Sequence, residues 1–389
     1  MAMKVTIAVN GRFHGFDLAA QLHVKGHLRL LITTYPYYKV KEWGIPREKV
    51  YSLVFLEVYK RLIKKFPDKL KNWFSCKQVQ LFDYFVSFLL PRDTEIFVGW
   101  SASSLKAIKK AKSFGAVTVL ERGSSHMRYQ NKILAEEYKL QSLRFTGHHP
   151  VITNREISEY EIVDYISIPS KFVKRTFLEQ GISESKLIHN PYGVDLSDFY
   201  RLKKEDEVFR IIFAGGLIIR KGVQYLLQAF YELNLEKSEL WLLGTPSKEM
   251  ERYIQKYNNG HVILHGHQPQ SKLNWFYSQC SAFCHPSIEE GLSMVQIQAM
   301  SCCLPLICTT NTGGDDLVDN NVNGFVVDIR DINGLKEKIT YLYENKKIAE
   351  QMGLSACEKV RSGFSWRDYG ERMINEYDKI LIKKDSVTQ

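Results

Sequence analysis

Long apolar runs are missing from this chain of 389 residues. Its most apolar stretch, Val79 to Leu90, is broken by Asp83 and falls well short of the ~20 residues that a helix needs to cross a bilayer. The opening MAMKVTIAVNG has no apolar core ahead of a small-residue cleavage site, so no secretory signal is expected and the cytoplasm is the expected compartment. Cysteines are few and odd in number: Cys76, Cys280, Cys284, Cys302, Cys303, Cys308 and Cys357. Mostly set in apolar contexts, they read as reduced core residues. A zinc site from Cys280, Cys284 and His285 is the sharper alternative. It lacks a second ligand pair at finger-like spacing, and its residues fall around a strand whose faces alternate, so no metal is expected. No repeat of roughly 20–50 residues recurs, which excludes a solenoid.

What is present is a globular composition and a double α/β pattern. A hydrophobic content of 44% beside 25% charged residues suits a soluble chain, and the length exceeds one ordinary core, so two domains are expected. Short β-branched or apolar strands are predicted at Lys4–Val9, Leu28–Thr33, Glu95–Gly99, Ala116–Glu121 and Val163–Ile168, separated by helical stretches. The pattern recurs with strands near Phe209–Ala214, Glu239–Leu243, His261–Leu264, Ser281–Cys284 and Leu306–Cys308, and helices such as Val223–Leu235 and Leu335–Glu344. Two parallel sheets covered by helices follow. The final segment FSWRDYGERMINEYDKILI reads as a helix with Tyr369, Met373 and Tyr377 as its packed stripe.

Charge is unevenly shared. Residues 1–195 hold 30 Lys and Arg against 18 Asp and Glu, or +12, while the remainder holds 23 against 25, or −2. The densest part is YKRLIKKFPDKLKNWFSCK at 59–77, where Lys60, Arg61, Lys64, Lys65, Lys69, Lys71 and Lys77 interleave with Phe66, Trp73 and Phe74. Cations beside aromatics are what a surface needs to rest on anionic headgroups. A solvated helical face is the plainer reading. No nucleic-acid motif accompanies the charge, so no nucleic-acid partner is expected.

Residues 285–302, HPSIEEGLSMVQIQAMSC, read as a strand end, a Glu-Glu-Gly turn and a helix start. A carboxylate at the mouth of such a turn can accept hydroxyl protons from a sugar, while free N–H groups at the helix start attract phosphate. This segment resembles the E-x7-E signature of the retaining glycosyltransferase family 4, the group 1 glycosyltransferases. Glu290 falls on the first acidic position, and Gln298 puts an amide on the second. The resemblance implies that Glu290 meets hydroxyls of the transferred sugar and that Gln298 meets the ribose, without the charge assistance of a carboxylate. FAGGLIIRKG at 213–222 resembles the family's first strand and loop of the nucleotide-binding domain, with Lys221 kept, Gly216 where an arginine is common, and Arg220 as the substitute cation. NPYGVD at 190–195 and TTNTGGDDLV at 309–318 resemble the interdomain connection and the glycine-rich loop beside the donor.

From that resemblance the expected fold is α/β of the GT-B type, two doubly wound Rossmann-like domains facing across a cleft. The expected division is an acceptor domain at 1–195, a nucleotide-sugar donor domain at 196–364, and a tail at 365–389 that crosses back to the first. The expected donor contacts are Gly15, Gly215, Gly216, Arg220, Lys221, Gly266, Glu290, Gly291, Leu292, Ser293, Met294, Val295 and Gln298. Gly11 and Gly15 flank the turn after the first strand, where backbone can approach phosphate. His14, Arg122 and Arg128 are placed on the acceptor side. His126, in the loop VLERGSSHMRYQN, is the histidine expected near the transferred sugar, and Glu156 and Tyr160 are candidates for the same cleft or for plain surface.

The implied activity is retaining transfer of a sugar from a UDP-, GDP- or ADP-linked donor to a saccharide or lipid-linked acceptor of a surface polysaccharide, lipopolysaccharide or glycolipid. It would proceed without cofactor or metal, since no D-x-D motif is present. Arg220, Lys221 and N–H groups around Leu292 to Val295 would neutralise the leaving diphosphate, with Glu290, His126, Lys221 and Arg220 as the reacting set. A non-catalytic nucleotide-sugar binder and a sugar-nucleotide epimerase of the same architecture are the alternatives. Docking through 59–77 would place the chain on the inner face of the membrane.

Overall fold

The computed structural model describes residues 2–63 and 66–388, without the side chains of residues 68, 69, 387 and 388. Lys64 and Lys65 of the basic segment therefore lie outside the described residues, as does the side chain of Lys69. Two wholly parallel sheets carry the fold. The first holds β1 (Val5–Val9), β2 (Leu28–Thr33), β3 (Val50–Ser52), β4 (Ile96–Trp100), β5 (Val117–Glu121), β6 (Tyr165–Ile168) and β7 (Leu187–His189), in the order β3-β2-β1-β4-β5-β6-β7. The second holds β8 (Phe209–Ala214), β9 (Ser238–Leu243), β10 (Val262–Gly266), β11 (Ala282–His285), β12 (Leu306–Thr309) and β13 (Gly324–Val327), in the order β10-β9-β8-β11-β12-β13. Helices cover both faces, so central strands such as β1, β4 and β8 are buried at every position. That is why they read as unbroken apolar runs. Each predicted strand is present within one or two residues. The edge strands β3, β7 and β13 were not predicted; at three or four residues they are too short for a periodic signal.

Strand order reverses between β1 and β4 in one sheet and between β8 and β11 in the other. Loops leaving the carboxyl ends of such strand pairs diverge and open a crevice, and here the two crevices face one another. Two chain crossings join the halves side by side: Val194 bridges to Ser365, and Val194 N–H donates to Phe364 O at 2.8 Å. A Cβ on Gly193 would stand 2.5 Å from the Ser365 carbonyl carbon, so only glycine allows that approach. The helix Trp366–Thr388 then lies against the helix Gly15–Val24 beside the first sheet. Its Gly370 is close enough to Gln21 that a Cβ would fall 2.4 Å from the Gln21 Cβ. Tyr369, Met373 and Tyr377 are fully buried there, and Arg372 fixes the crossing through Asn190 Oδ1, Pro191 O and Gly363 O. All seven cysteines are unpaired and buried.

Candidate active site

The second sheet supplies a cationic turn and an acidic one. After β8, Ile219–Lys221 form a single 3₁₀ turn that ends on Gly222 at φ +64°. A Cβ on Gly222 would lie 1.9 Å from Pro286 O, so glycine alone lets this turn lie flat on the loop that follows β11. Contact is sealed by Ile288 N–H donating to Arg220 O at 2.9 Å. Arg220 donates from Nε to Glu289 O at 2.9 Å and from Nη2 to Glu290 Oε2 at 2.9 Å, while Lys221 Nζ also bonds Glu290 Oε2. Burial opposes charge on Glu290, but Lys221 and Arg220 outweigh it and bring its pKa down to about 2. Beneath them His285 stacks between Phe213 and Phe283, at 5.8 and 6.0 Å. Burial, helped by Lys221, lowers its pKa to about 3 and keeps it neutral.

Leu292, Ser293, Met294 and Val295 carry the chain from Glu290 into the helix Met294–Ser301, whose start is capped by no side chain. One turn further on, Gln298 is 8% exposed and its Oε1 has no partner in the protein. Cavities open on both sides of this helix start. The larger, of 710 Å³, runs from Glu290 and Gln298 to the first sheet. The other, of 660 Å³, lies beyond Met294 and Gln298 and is bounded by Arg12, Asp17, Trp43 and Asp195 among others.

Across the larger cavity, the ends of β1, β4 and β5 present His14, Trp100, Glu121 and Arg122. His14 Nε2 meets Glu121 Oε2 at 3.1 Å, and its ring rests against Trp100 and Tyr192 at 5.1 and 4.5 Å. Glu121 Oε1 is buried without a protein partner. A buried acceptor left open on a cavity wall is free to receive a ligand hydroxyl. Arg122 pairs with Glu156 at 2.8 Å and donates to Ser125 O at 2.8 Å from Nη2; Tyr160 donates its hydroxyl to Glu156 at 2.7 Å.

The facing loops touch directly. A Cβ on Gly291 would stand 2.0 Å from Gly123 O, and Ser170 Oγ donates to Gly291 O at 2.6 Å. Glu289, with no exposed surface, accepts from Ser125 N–H (3.0 Å), Ser125 Oγ (2.7 Å) and Gln130 Nε2 (2.7 Å), and pairs with Arg220 at 3.3 Å. It ties the two lobes together one residue away from Glu290.

Of the residues expected from the sequence, Glu290, Leu292, Ser293, Met294, Val295, Gln298, His14 and Arg122 line the larger cavity. Arg220 and Lys221 stand behind Glu290 rather than on the wall, and Gly291 is pressed onto Gly123. Gly15 lies under the wall, where a Cβ would meet Trp100 and Val9 at 3.1 Å, and Gly215 and Gly216 sit in the preceding turn, Gly216 facing open space. His126 is a correction: it is buried, its Nδ1 accepts from Arg128 N–H as the cap of the helix Met127–Leu140, and its ring lies 5.0 Å from both Tyr160 and Phe177. Burial, with Arg122 and Arg128 nearby, lowers its pKa to about 4. The histidine on the cavity wall is His14. Arg128 is exposed to solvent and Gly266 ends β10 against Gly244, and neither lines the cavity. Glu156 lines it, whereas Tyr160 is packed behind. Sequence reasoning missed Glu289, Trp100 and Tyr192. Trp100 was the readable one, since it closes β4 at the point where strand order reverses.

Two facing parallel sheets with a cleft at both switch points define the GT-B architecture, and solved structures agree on the fold. Sucrose-phosphate synthase from Thermosynechococcus elongatus superposes with a TM-score of 0.70 over 98% of this chain and 100% of its own, at 18% identity. Anabaena HepE in complex with UDP does so at 0.69 over 97% and 100%, at 15% identity. Residues 197–358 match the family of glycosyl transferases group 1. Among curated relatives, the capsular polysaccharide biosynthesis glycosyltransferase CapM of Staphylococcus aureus is 29% identical over 46% of this chain and 48% of its own. An uncharacterized glycosyltransferase of Methanocaldococcus jannaschii is 29% identical over 52% and 56%. The chain thus spans about half the length of these curated relatives.

Proposed function

We propose that the chain is a retaining glycosyltransferase that moves a sugar from a nucleotide donor to a saccharide or lipid-linked acceptor of a cell-envelope glycan. The observation that carries this reading is the closed triad of Glu290 with Lys221 and Arg220 at the mouth of a cavity whose opposite wall is polar. Without a ligand the three groups satisfy one another. A donor exchanges these contacts: its diphosphate takes Lys221, Arg220 and the uncapped N–H groups of Leu292 to Val295, while its sugar hydroxyls take the Glu290 carboxylate. Gln298, with an open Oε1, is available to the ribose. The cationic pair supplies the charge that the departing diphosphate requires, so the reaction is proposed to run without a metal.

Glu290 is cast as a hydrogen-bond acceptor for the sugar rather than as a nucleophile. A carboxylate nucleophile would have to reach the anomeric carbon from the face opposite the departing nucleotide, whereas Glu290 stands beside the two cations proposed to hold the diphosphate. The acceptor approaches from the side of His14, Glu121 and Arg122, and its hydroxyl attacks on the face that the nucleotide leaves. His14, bonded to Glu121, is placed to hold hydroxyls of the sugar or acceptor. The test is release of nucleoside diphosphate across UDP-, GDP- and ADP-sugars with cell-envelope glycan fractions, followed by NMR of the product anomer. Acceptor-dependent release with the donor's anomeric configuration kept supports the reading. Binding without release would leave a nucleotide-sugar binder, acceptor-independent release with epimerised sugar an epimerase, and an inverted product would overturn the mechanism.

A further inference from the structure

The helix Asp68–Leu89 presents a surface that the cleft does not use. Leu70, Trp73, Lys77, Leu81, Tyr84 and Phe88 follow at steps of three or four residues, which places them in one line along the helix. All six face solvent, Trp73 at 52% and Phe88 at 71% exposure. On the opposite side the same helix buries Phe82 and Val86 in the core. The neighbouring helix Val54–Ile63 adds exposed Phe55, Val58 and Leu62, and the Phe55 ring meets Phe85 at 5.2 Å. An outward line of this size on a chain with a packed core is a contact surface.

Its charge says what it contacts. The Lys77 ammonium lies 5.5 Å from the Trp73 ring and Lys106 lies 5.1 Å from the Tyr84 ring, with Arg61 on the shorter helix. Among the described acidic side chains of the two helices, Glu57 pairs with Arg61 and Asp83 is buried against Arg155. Bulky aromatics flanked by cations, without free acids among the described side chains of the two helices, match the boundary between anionic headgroups and acyl chains. No described helix is long and apolar enough to cross a membrane, so the fit is to a helix lying on the surface. The inner sides of the same two helices wall the larger cavity through Lys60, Ile63, Ser75, Gln78 and Val79.

We infer that the outer line of these two helices rests on an anionic bilayer, and that the cavity they wall opens toward that bilayer to take an acceptor whose lipid portion stays in it. This moves the docking surface from the basic segment 59–77 to the line Leu70–Phe88, since Lys60 and Ser75 of that segment line the cavity. The docking half stands by itself, whereas the acceptor half rests on the transferase reading.

The test is flotation of the full chain with vesicles of phosphatidylcholine alone and of phosphatidylcholine mixed with phosphatidylglycerol, beside a Trp73→Glu/Phe88→Glu variant. Wild type is expected to float with the anionic vesicles, to be released by salt, and to lose roughly tenfold or more in vesicle affinity in the variant. The variant's melting temperature and its rate of nucleotide-sugar hydrolysis to water are expected to match wild type, because both side chains lie outside core and cavity. With lipid extracts of envelope membranes as acceptor in those vesicles, transfer is expected to fall in the variant while hydrolysis does not. Equal flotation of wild type and variant, or flotation on neutral vesicles alone, overturns the proposal. So does a wild-type dimer, seen by light scattering, that the substitutions split, because the line would then face a second copy. Wild type that floats but releases no nucleoside diphosphate from any sugar nucleotide keeps the docking and sinks the transferase reading.

Discussion

Replacing Glu289 by glutamine is the most exacting small change available in this structure. The carboxylate has no exposed surface and uses both oxygens: Oε1 accepts from the backbone N–H and hydroxyl of Ser125, Oε2 from Gln130 Nε2, and Arg220 lies 3.3 Å away. An amide of the same shape must turn its NH₂ toward one of these sides. Toward Gln130 it sets two NH₂ groups against each other, and Gln130 cannot flip cheaply because its Oε1 already accepts from Arg122 Nη2 at 3.2 Å. Toward Ser125 it strands the backbone N–H. Each charge-assisted hydrogen bond lost costs about 1.5–3 kcal/mol, and removing one partner of a buried ion pair costs about 3–5 kcal/mol. A loss of about 3–5 kcal/mol in the junction between the lobes is therefore expected for Glu289→Gln. Because a two-lobed chain need not unfold in one step, the assay is hydrogen exchange over residues 123–130 together with the melting curve. Faster exchange in that segment with a lowered melting temperature is expected. Adding Gln130→Glu, which restores one donor–acceptor pair, should recover about 1 kcal/mol or more. Unchanged exchange, or no recovery in the double variant, would refute the role given to Glu289.

Two further changes probe the donor side. Gly222→Ala puts a methyl where Pro286 O lies 1.9 Å away and at a φ of +64°, so the basic turn must lift off the Glu290 loop; a loss of donor affinity of about tenfold or more is expected by titration calorimetry. Glu290 has a folded-state pKa below its ordinary value, so the stability it contributes is fully present above about 4.5 and lost as pH falls toward 2. The melting temperature of wild type should accordingly fall more steeply than that of Glu290→Gln between those pH values, while His126 and His285, lowered by burial to about 4 and 3, stay neutral in the fold and cost stability in both proteins as pH falls below about 6.5.

The central strands and the turn carrying Glu290 were legible in the sequence because burial on both faces writes an apolar run, and because a carboxylate before glycine and a helix start is a compact local pattern. Edge strands such as Val50–Ser52 and Gly324–Val327 are too short to write one. The histidine was misplaced for a different reason. His14 and His126 both follow strand ends in polar loops, and only the packing of Tyr160 and Phe177 decides that His126 caps a helix while His14 meets Glu121. Glu289 was passed over because its meaning lies 164 residues away, in Ser125. The line Leu70–Phe88 crosses the end of the basic segment that composition singles out, so a window drawn by charge cut it in two.

The central claim is that Glu290 occupies, without a ligand, the cations that a donor diphosphate must claim. Affinity for nucleoside diphosphate, measured for wild type, Lys221→Met and Glu290→Ala beside their turnover of nucleotide sugar, tests it most directly. Lys221→Met is expected to weaken diphosphate binding roughly 10- to 100-fold, whereas Glu290→Ala should bind diphosphate as tightly as wild type or tighter while turnover falls by roughly a hundredfold or more. Weakened diphosphate binding in Glu290→Ala beside normal binding in Lys221→Met would contradict the account.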